Sequence, residues 1–229
     1  MKISYLIGVH NEEVELNVLL NKLYNAISKT EDEIVILDDY SDNVAVRKML
    51  ELHKCFSTSK SVGKVVQHHL NGDFSSHKNF GGSHCTGDYI VNFDADEYPS
   101  DFLLENIHEL IETNSTVELF RVPRVNIVRG LTPEDAMKWG WYVSTLPQFP
   151  QCHIVNWNSG DYQSRIYKNN PKIKWTKKLH ETISGAEYVA ALPHDVEFSI
   201  IHDKTIDRQR AQNEFYSKNW SVESNMGRG

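Results

Sequence analysis

Lys78-Asn79-Phe80-Gly81-Gly82-Ser83-His84-Cys85-Thr86-Gly87-Asp88-Tyr89-Ile90-Val91-Asn92-Phe93-Asp94-Ala95-Asp96-Glu97 is the stretch that decides how this chain folds. It opens on an amphipathic segment, turns at Gly87-Asp88, and runs into a compact apolar strand from Tyr89 to Phe93. Asp94, Asp96 and Glu97 close that strand. In extended backbone, residues two apart project to the same side, so Asp94 and Asp96 are expected to share a face. Like charges that close are unfavourable unless a cation or a hydrogen-bond network joins them. A divalent metal with oxygen ligands answers that need, particularly one that also carries phosphate. A solvated turn before a helix capped by Ser100 or Asp101 accounts for the same residues without chemistry.

Working back toward the N-terminus, Lys2 to Val9 reads as a buried first strand through Ile3, Tyr5, Leu6, Ile7 and Val9. Asn11 is placed to cap a helix carrying Val14, Leu16, Leu19, Leu20, Leu23 and Ile27, with Glu12 and Glu13 in its first turn. Glu33 to Leu37 is a second apolar strand, closed by Asp38-Asp39-Tyr40-Ser41-Asp42, with Ser41 or Asp42 available to cap the helix from Val44 to Leu52. Gly63 to His69 supplies a third strand, and Ser75 to Cys85 reads as a helix after the turn Asn71-Gly72-Asp73. Strand and helix alternating at this spacing predict a parallel sheet with right-handed crossovers, whose ligands collect beyond the carboxyl ends of the strands. Neither Gly-x-Gly-x-x-Gly nor Gly-x-x-x-x-Gly-Lys follows strand one, so dinucleotide-fold and P-loop chemistry are unsupported. Gly81-Gly82 reads as a place where helix and sheet approach closely.

Beyond Glu97, Pro99-Ser100-Asp101 starts a helix through Phe102, Leu103, Leu104, Ile107, Leu110 and Ile111, and Val117 to Arg121 is a further strand. From Arg121 to Trp157 the pattern loosens, and Trp139, Trp141, Tyr142, Phe149 and Trp157 crowd in. Aromatic faces suit sugar or base stacking, and core packing explains most of them equally well. Gly160 to Lys168 reads as a turn and an alternating strand, with Ile173 to Trp175 returning after Asn169-Asn170-Pro171. Ser199 to Asp203 is the last apolar run; a polar helix from Thr205 to Trp220 follows, whose Arg208 and Arg210 can neutralise phosphate.

Composition bounds the rest. The 229 residues are 40% hydrophobic and 24% charged with net charge −7, which suits one α/β domain and argues against a general nucleic-acid surface. No run approaches a membrane span, and the start of the chain does not read as a signal peptide. Cys55, Cys85 and Cys152 are odd in number and widely spaced, which fits reduced thiols in a cytoplasmic compartment, a host's if the source is viral.

A strand ending in Asp-x-Asp, preceded by Lys78-Asn79-Phe80-Gly81, resembles the nucleotide-sugar-binding half of GT-A glycosyltransferases. The acidic run Asp94-Ala95-Asp96-Glu97 is similar to one branch of family 2, and Arg165-Ile166-Tyr167-Lys168, then Trp175, then His180-Glu181 resembles the distal half of that branch. The resemblance spans Lys2 to about Tyr216, while the segment between Arg129 and Gln163 matches no part of the pattern. It implies a GT-A α/β fold with a mostly parallel central sheet flanked by helices, in one domain over 1–220. Residues 1–98 form the nucleotide half, 99–220 the acceptor half, and 221–229 a flexible tail. It implies that Val9, Asn11, Glu12, Asp39, Lys78, Asp94 and Arg165 meet the donor, that Asp96 and His202 hold Mn²⁺ or Mg²⁺, and that Glu181 is the base of an inverting transfer, with Asp161 and Glu97 next in line.

The donor implied is a nucleotide-diphosphate sugar, a UDP-sugar in the first instance, and the acceptor a hydroxyl. That hydroxyl belongs to a glycan, a protein or a hydroxymethylated DNA base of a virus; Lys172, Lys174, Lys177 and Lys178 give a local basic strip for the last. A nucleotidyltransferase shares the carboxylates, metal and nucleotide but releases pyrophosphate. A non-catalytic carbohydrate-binding module would show no turnover with any donor.

Overall fold

A computed structural model describes residues 1–28, 30–55 and 63–219. The first half alternates strand and helix as the apolar runs dictate. β1 (Ile3–Val9) leads through α1 (Glu13–Ile27) to β2 (Glu33–Asp38), and α2 (Val44–Lys54) leads to β3 (Lys64–Gln67). α3 (Phe74–Gly82) delivers β4 (Tyr89–Asp94), followed by the short β5 (Glu97–Pro99) and α4 (Asp101–Thr113). The second half holds β6 (Leu119–Arg129), α5 (Pro133–Trp139), β7 (Val143–Leu146), β8 (Phe149–Val155) and β9 (Tyr162–Lys168). β10 (Lys174–Thr176), β11 (Thr182–Ser184), β12 (Val189–Ala191), β13 (Ile200–Thr205) and α6 (Ile206–Asn219) complete it. Trp220 and the tail over 221–229 lie outside the described residues.

The main sheet runs β3-β2-β1-β4-β9-β6-β13-β5. β3, β2, β1 and β4 are all parallel, as the helical crossovers require. β9 then inserts antiparallel between β4 and β6, and β13 returns parallel to β6. Both faces of the parallel half are covered, which is why its strands are continuous apolar runs. Ile3, Tyr5, Ile7 and Val9 pack with Leu16, Leu19, Leu20 and Leu23 of α1, while Leu6, Val35, Leu37 and Ile90 face the α3 side. At Gly81 a Cβ would come within 2.8 Å of Leu6 and 2.9 Å of Leu37, so any side chain there would force those leucines to shift as α3 lies against the sheet.

Helix starts differ from expectation in two places. Asn43 caps α2, accepting from the amides of Ala45 at 2.8 Å and Val46 at 3.2 Å; Ser41 and Asp42 do not. Asn11 does not cap α1. Its φ of 70° places it in the left-handed region that Asn tolerates, and its Oδ1 instead accepts from the amides of Asp42 and Asn43, each at 2.9 Å. Ser100 caps α4 as read, accepting from Leu103 N at 3.0 Å. Farther along, β10 does not return beside β9; it pairs with β11 as a separate hairpin. That hairpin is held to α3 because Asn79 donates to Trp175 O at 2.8 Å and accepts from Trp175 N at 3.0 Å. No helix among the described residues is long and apolar enough to cross a membrane.

Candidate active site

Register levels the strand ends that carry the polar residues. Gly8 of β1 pairs with Leu37 of β2 and with Asp94 of β4, and Val9 pairs with Asp38. Val9, Asp39 and Asp94 therefore emerge along one edge, beyond the carboxyl ends of parallel strands. Asp39 donates its amide to Val9 O at 3.0 Å, and its Oδ1 accepts from Leu70 N at 3.0 Å. His10 and His69 stand 3.8 Å and 3.7 Å from its carboxylate. The His69 ring stacks on Tyr40 with centroids 3.8 Å apart.

Asp94 lies at the centre of a charged chain. Lys78 Nζ is 3.3 Å from its Oδ1, and Arg165 Nη2 donates to its Oδ2 at 2.9 Å. Burial works against ionisation here, but Lys78 and Arg165 outweigh it and hold the carboxyl below the usual range. Lys78 also donates to Glu181 Oε1 at 2.6 Å and sits 4.7 Å above the Trp175 ring. On the other side, Arg165 Nε and Nη2 donate to Glu97 at 2.9 Å and 2.7 Å. Arg124 joins Glu97 at 3.1 Å to Asp161 at 2.9 Å, and Asn126 donates to the same Asp161 at 2.7 Å.

Asp96 takes other partners than Asp94, although its charge still bears on that carboxyl. The strand stops at Asp94, the chain turns through Ala95 and Asp96, and the extended spacing argument lapses there. The Asp96 Oδ2 instead meets His202 Nε2 at 3.1 Å and Arg208 Nη2 at 3.3 Å. Burial again opposes the charge, and the hydrogen bond and charge of His202 together with Arg208 more than offset it, so this carboxyl too is held low. Glu12 is the exception. Burial pushes its carboxyl up to about 7, with the nearby Asp96 charge adding to the effect, although the bond from His10 N at 2.6 Å pulls the other way.

The structure thus brings Lys78, Asp94, Arg165 and Glu181 into one network, and Asp96, His202 and Glu12 into an adjoining one. Val9 and Asp39 flank them on the edge, and Asn11 shapes the loop beside Asp39 through Asp42. Glu97 and Asp161, the reserve bases, are each locked by an arginine. Two members went unread: Arg124 and Asn126, which sit on β6 beyond the expected end of that strand at Arg121. Their partners lie 37 and 35 residues away, so no local pattern marks them. Most of the loosely patterned aromatics serve packing. Trp157 is buried against Val125, Ile127 and Ile154, Phe149 packs beside it, and Trp139 and Trp141 cover Val128 and Leu131, while Tyr142 is exposed.

His77, one helical position before Lys78, gives a pH test of this region. It is buried with Nδ1 3.3 Å from that of His68, and burial lowers it from 6.5 to about 4. The unfolded chain therefore binds this proton first, and stability present above pH 6.5 is expected to fall by about 3 kcal/mol as pH drops from 6.5 to 4. Urea titrations of wild type and His77→Gln across that window check it; parallel pH profiles would show that His77 is not the group responsible.

A parallel β3-β2-β1-β4 half ending in carboxylates, with β9, β6 and β13 closing over its far side, defines a GT-A α/β domain. The model of Glycosyl transferase family 2 matches residues 4–184, and the chain belongs to that family. The match stops short of β13 and α6, so His202 and Arg208 fall outside it. A dolichol-phosphate mannosyltransferase of Pyrococcus furiosus is 29% identical over 119 residues, which are 52% of this chain and 32% of the relative. S. aureus TarS, residues 1–349, superposes with a TM-score of 0.59 at 16% identity, covering 89% of this chain and 60% of that one. The same TarS region in complex with UDP-GlcNAc gives 0.59 at 19% identity, covering 89% and 59%. The aligned part thus spans about a third of the mannosyltransferase and three fifths of the TarS fragment, and at these identities the structural likeness speaks for the fold.

Proposed function

We propose that the chain is an inverting glycosyltransferase that moves a sugar from a nucleotide-diphosphate donor, a UDP-sugar in the first instance, to an acceptor hydroxyl. The observation that carries this reading is the convergence of Lys78, Asp94, Asp96 and His202 on the edge where β1, β2 and β4 end. Family membership supports the reaction class, and the TarS neighbour solved with UDP-GlcNAc supports the donor class. In this reading 1–98 hold the nucleotide, with Val9, Asn11, Glu12 and Asp39 around the base and ribose, and 99–220 face the acceptor.

Asp96 and His202 fit a divalent ion as an oxygen and nitrogen pair already 3.1 Å apart. Among the described residues no three His, Cys, Asp or Glu side chains gather into a cage, so Mn²⁺ or Mg²⁺ would complete its shell from diphosphate and water. When bound, the ion supplies charge neutralisation for the leaving diphosphate. The chain's own residues do the rest. Lys78 and Arg165 keep Asp94 ionised and fixed toward the donor ribose. The acceptor oxygen attacks the anomeric carbon while the bond to the diphosphate oxygen breaks. Its proton passes to the Glu181 carboxylate, and the electron pair leaves with the nucleotide diphosphate.

Asp96→Asn is expected to abolish metal-dependent nucleotide binding while the melting temperature holds. Calorimetric titration of UDP with and without Mn²⁺ measures it, and an undiminished metal effect in the variant would remove Asp96 from the site. A hydrolysis screen over common nucleotide sugars then identifies the donor. Inertness toward every nucleotide sugar, with pyrophosphate released from a nucleoside triphosphate and a sugar phosphate, would point instead to a nucleotidyltransferase.

A further inference from the structure

We propose that Arg208 is the resting counter-ion of Asp96, surrendering that carboxylate to the metal and turning its guanidinium to the incoming diphosphate. The inference rests on the reading of Asp96 and His202 as the metal donors and adds the first turn of α6 to the donor site.

One guanidinium touches acids from three separate elements. Its Nη2 is 3.3 Å from Asp96 Oδ2 in the β4–β5 turn and 3.4 Å from Glu12 Oε1 before α1, and its Nη1 donates to Glu15 within α1. Acids brought this close, Glu12 ionised only in part near neutral pH, repel one another unless a cation stands among them. Without metal, Arg208 is the cation that touches all three, while His202 and Lys204 also bear on Asp96. A divalent ion on Asp96 and His202 would put like charge beside Nη2, so ion and guanidinium compete for the same oxygen.

Arg208 is built to move where its neighbours are not. Its side chain is 32% exposed, against 4% for Arg165, whose contact with Glu97 is sealed. Release need not unfold α6, which has other ties. Arg210 donates to Asp135 at 2.8 Å, Lys204 to Gln212 at 3.0 Å, and Ile206 packs on the Val128 and Leu131 cluster. Glu12 and Glu15 remain as pivots for a long side chain leaving Asp96. A guanidinium freed there offers a planar fork suited to phosphate oxygens. Donor loading would then exchange one cation for another at Asp96, keeping the acids neutralised throughout.

The test uses Mn²⁺ alone, followed by the electron paramagnetic resonance of the free ion, on wild type, Arg208→Gln, Arg208→Lys and Asp96→Asn. Arg208→Gln is expected to bind Mn²⁺ about tenfold or more tightly than wild type, since a charge-assisted competitor is gone. Arg208→Lys, too short to span Glu15 and Asp96 together, should fall between them and serves if the glutamine variant does not fold. The same variants should gain less in metal-dependent UDP affinity than in Mn²⁺ affinity, because the diphosphate loses its guanidinium. Wild-type Mn²⁺ affinity in both Arg208 variants, with Asp96→Asn unable to bind, overturns the exchange and leaves the metal site standing. Unchanged binding by Asp96→Asn overturns the metal site and this proposal with it.

Discussion

Arg165→Met is expected to cost about 3–5 kcal/mol of folding stability, the usual penalty for leaving a buried carboxylate without its partner. Arg165 is 4% exposed and Glu97 1%, and the two share bonds of 2.9 Å and 2.7 Å. Arg124 also reaches Glu97, at 3.1 Å, but its Nε is committed to Asp161. It cannot take over both sites that Arg165 leaves. Burial and the facing carboxylates bear on Arg165 in opposite senses, and Glu97 and Asp94 prevail, keeping its charge on more firmly than usual. The companion variant separates charge from shape. Arg165→Met with Glu97→Gln removes both buried charges and should recover much of the loss. Equilibrium urea unfolding of the two variants measures both quantities. A single variant within about 1 kcal/mol of wild type would mean that water reaches Glu97 and that the network is not sealed.

The parallel half was legible because local rules and tertiary structure agree there. The apolar runs of β1, β2 and β4 are strands buried on both faces, β3 at the sheet edge is half-buried, and the polar turns after β1, β2 and β3 each open a helix. Agreement failed where a residue type serves two geometries. Asn before a pair of glutamates reads as a helix cap, but Asn also tolerates positive φ, and at Asn11 that property won. Asp96 sits two residues after Asp94, and only extended backbone makes that a shared face; the chain turns first. In the second half the limits were topological. β9 pairs with both β4 and β6 across long stretches of chain, and Pro123 inside β6 reads locally as a break. So Arg124 and Asn126, one and three residues past that proline, were unreadable as site members.

Glu181→Gln is expected to keep donor affinity and lose turnover by about 10²–10⁴-fold, the usual worth of a general base. Position motivates this. Lys78 links Glu181 at 2.6 Å to Asp94 at 3.3 Å, so the candidate base stands one side chain away from Asp94, the carboxylate proposed to meet the donor. Its side chain is 16% exposed, open enough to meet an acceptor yet largely withdrawn from water. The bond from Lys78 takes Oε1; glutamine retains an oxygen to accept it, and Lys78, losing that ion pair, keeps the one to Asp94. A purely structural Glu181 predicts the reverse pattern: a lower melting temperature with turnover per folded molecule nearly unchanged. Both are read on one preparation, with the donor that the hydrolysis screen identifies. Near wild-type turnover would move the base elsewhere in the cleft. Glu97 and Asp161 could not inherit the role as they stand, because Arg165 and Arg124 already hold the oxygens that would have to take the proton.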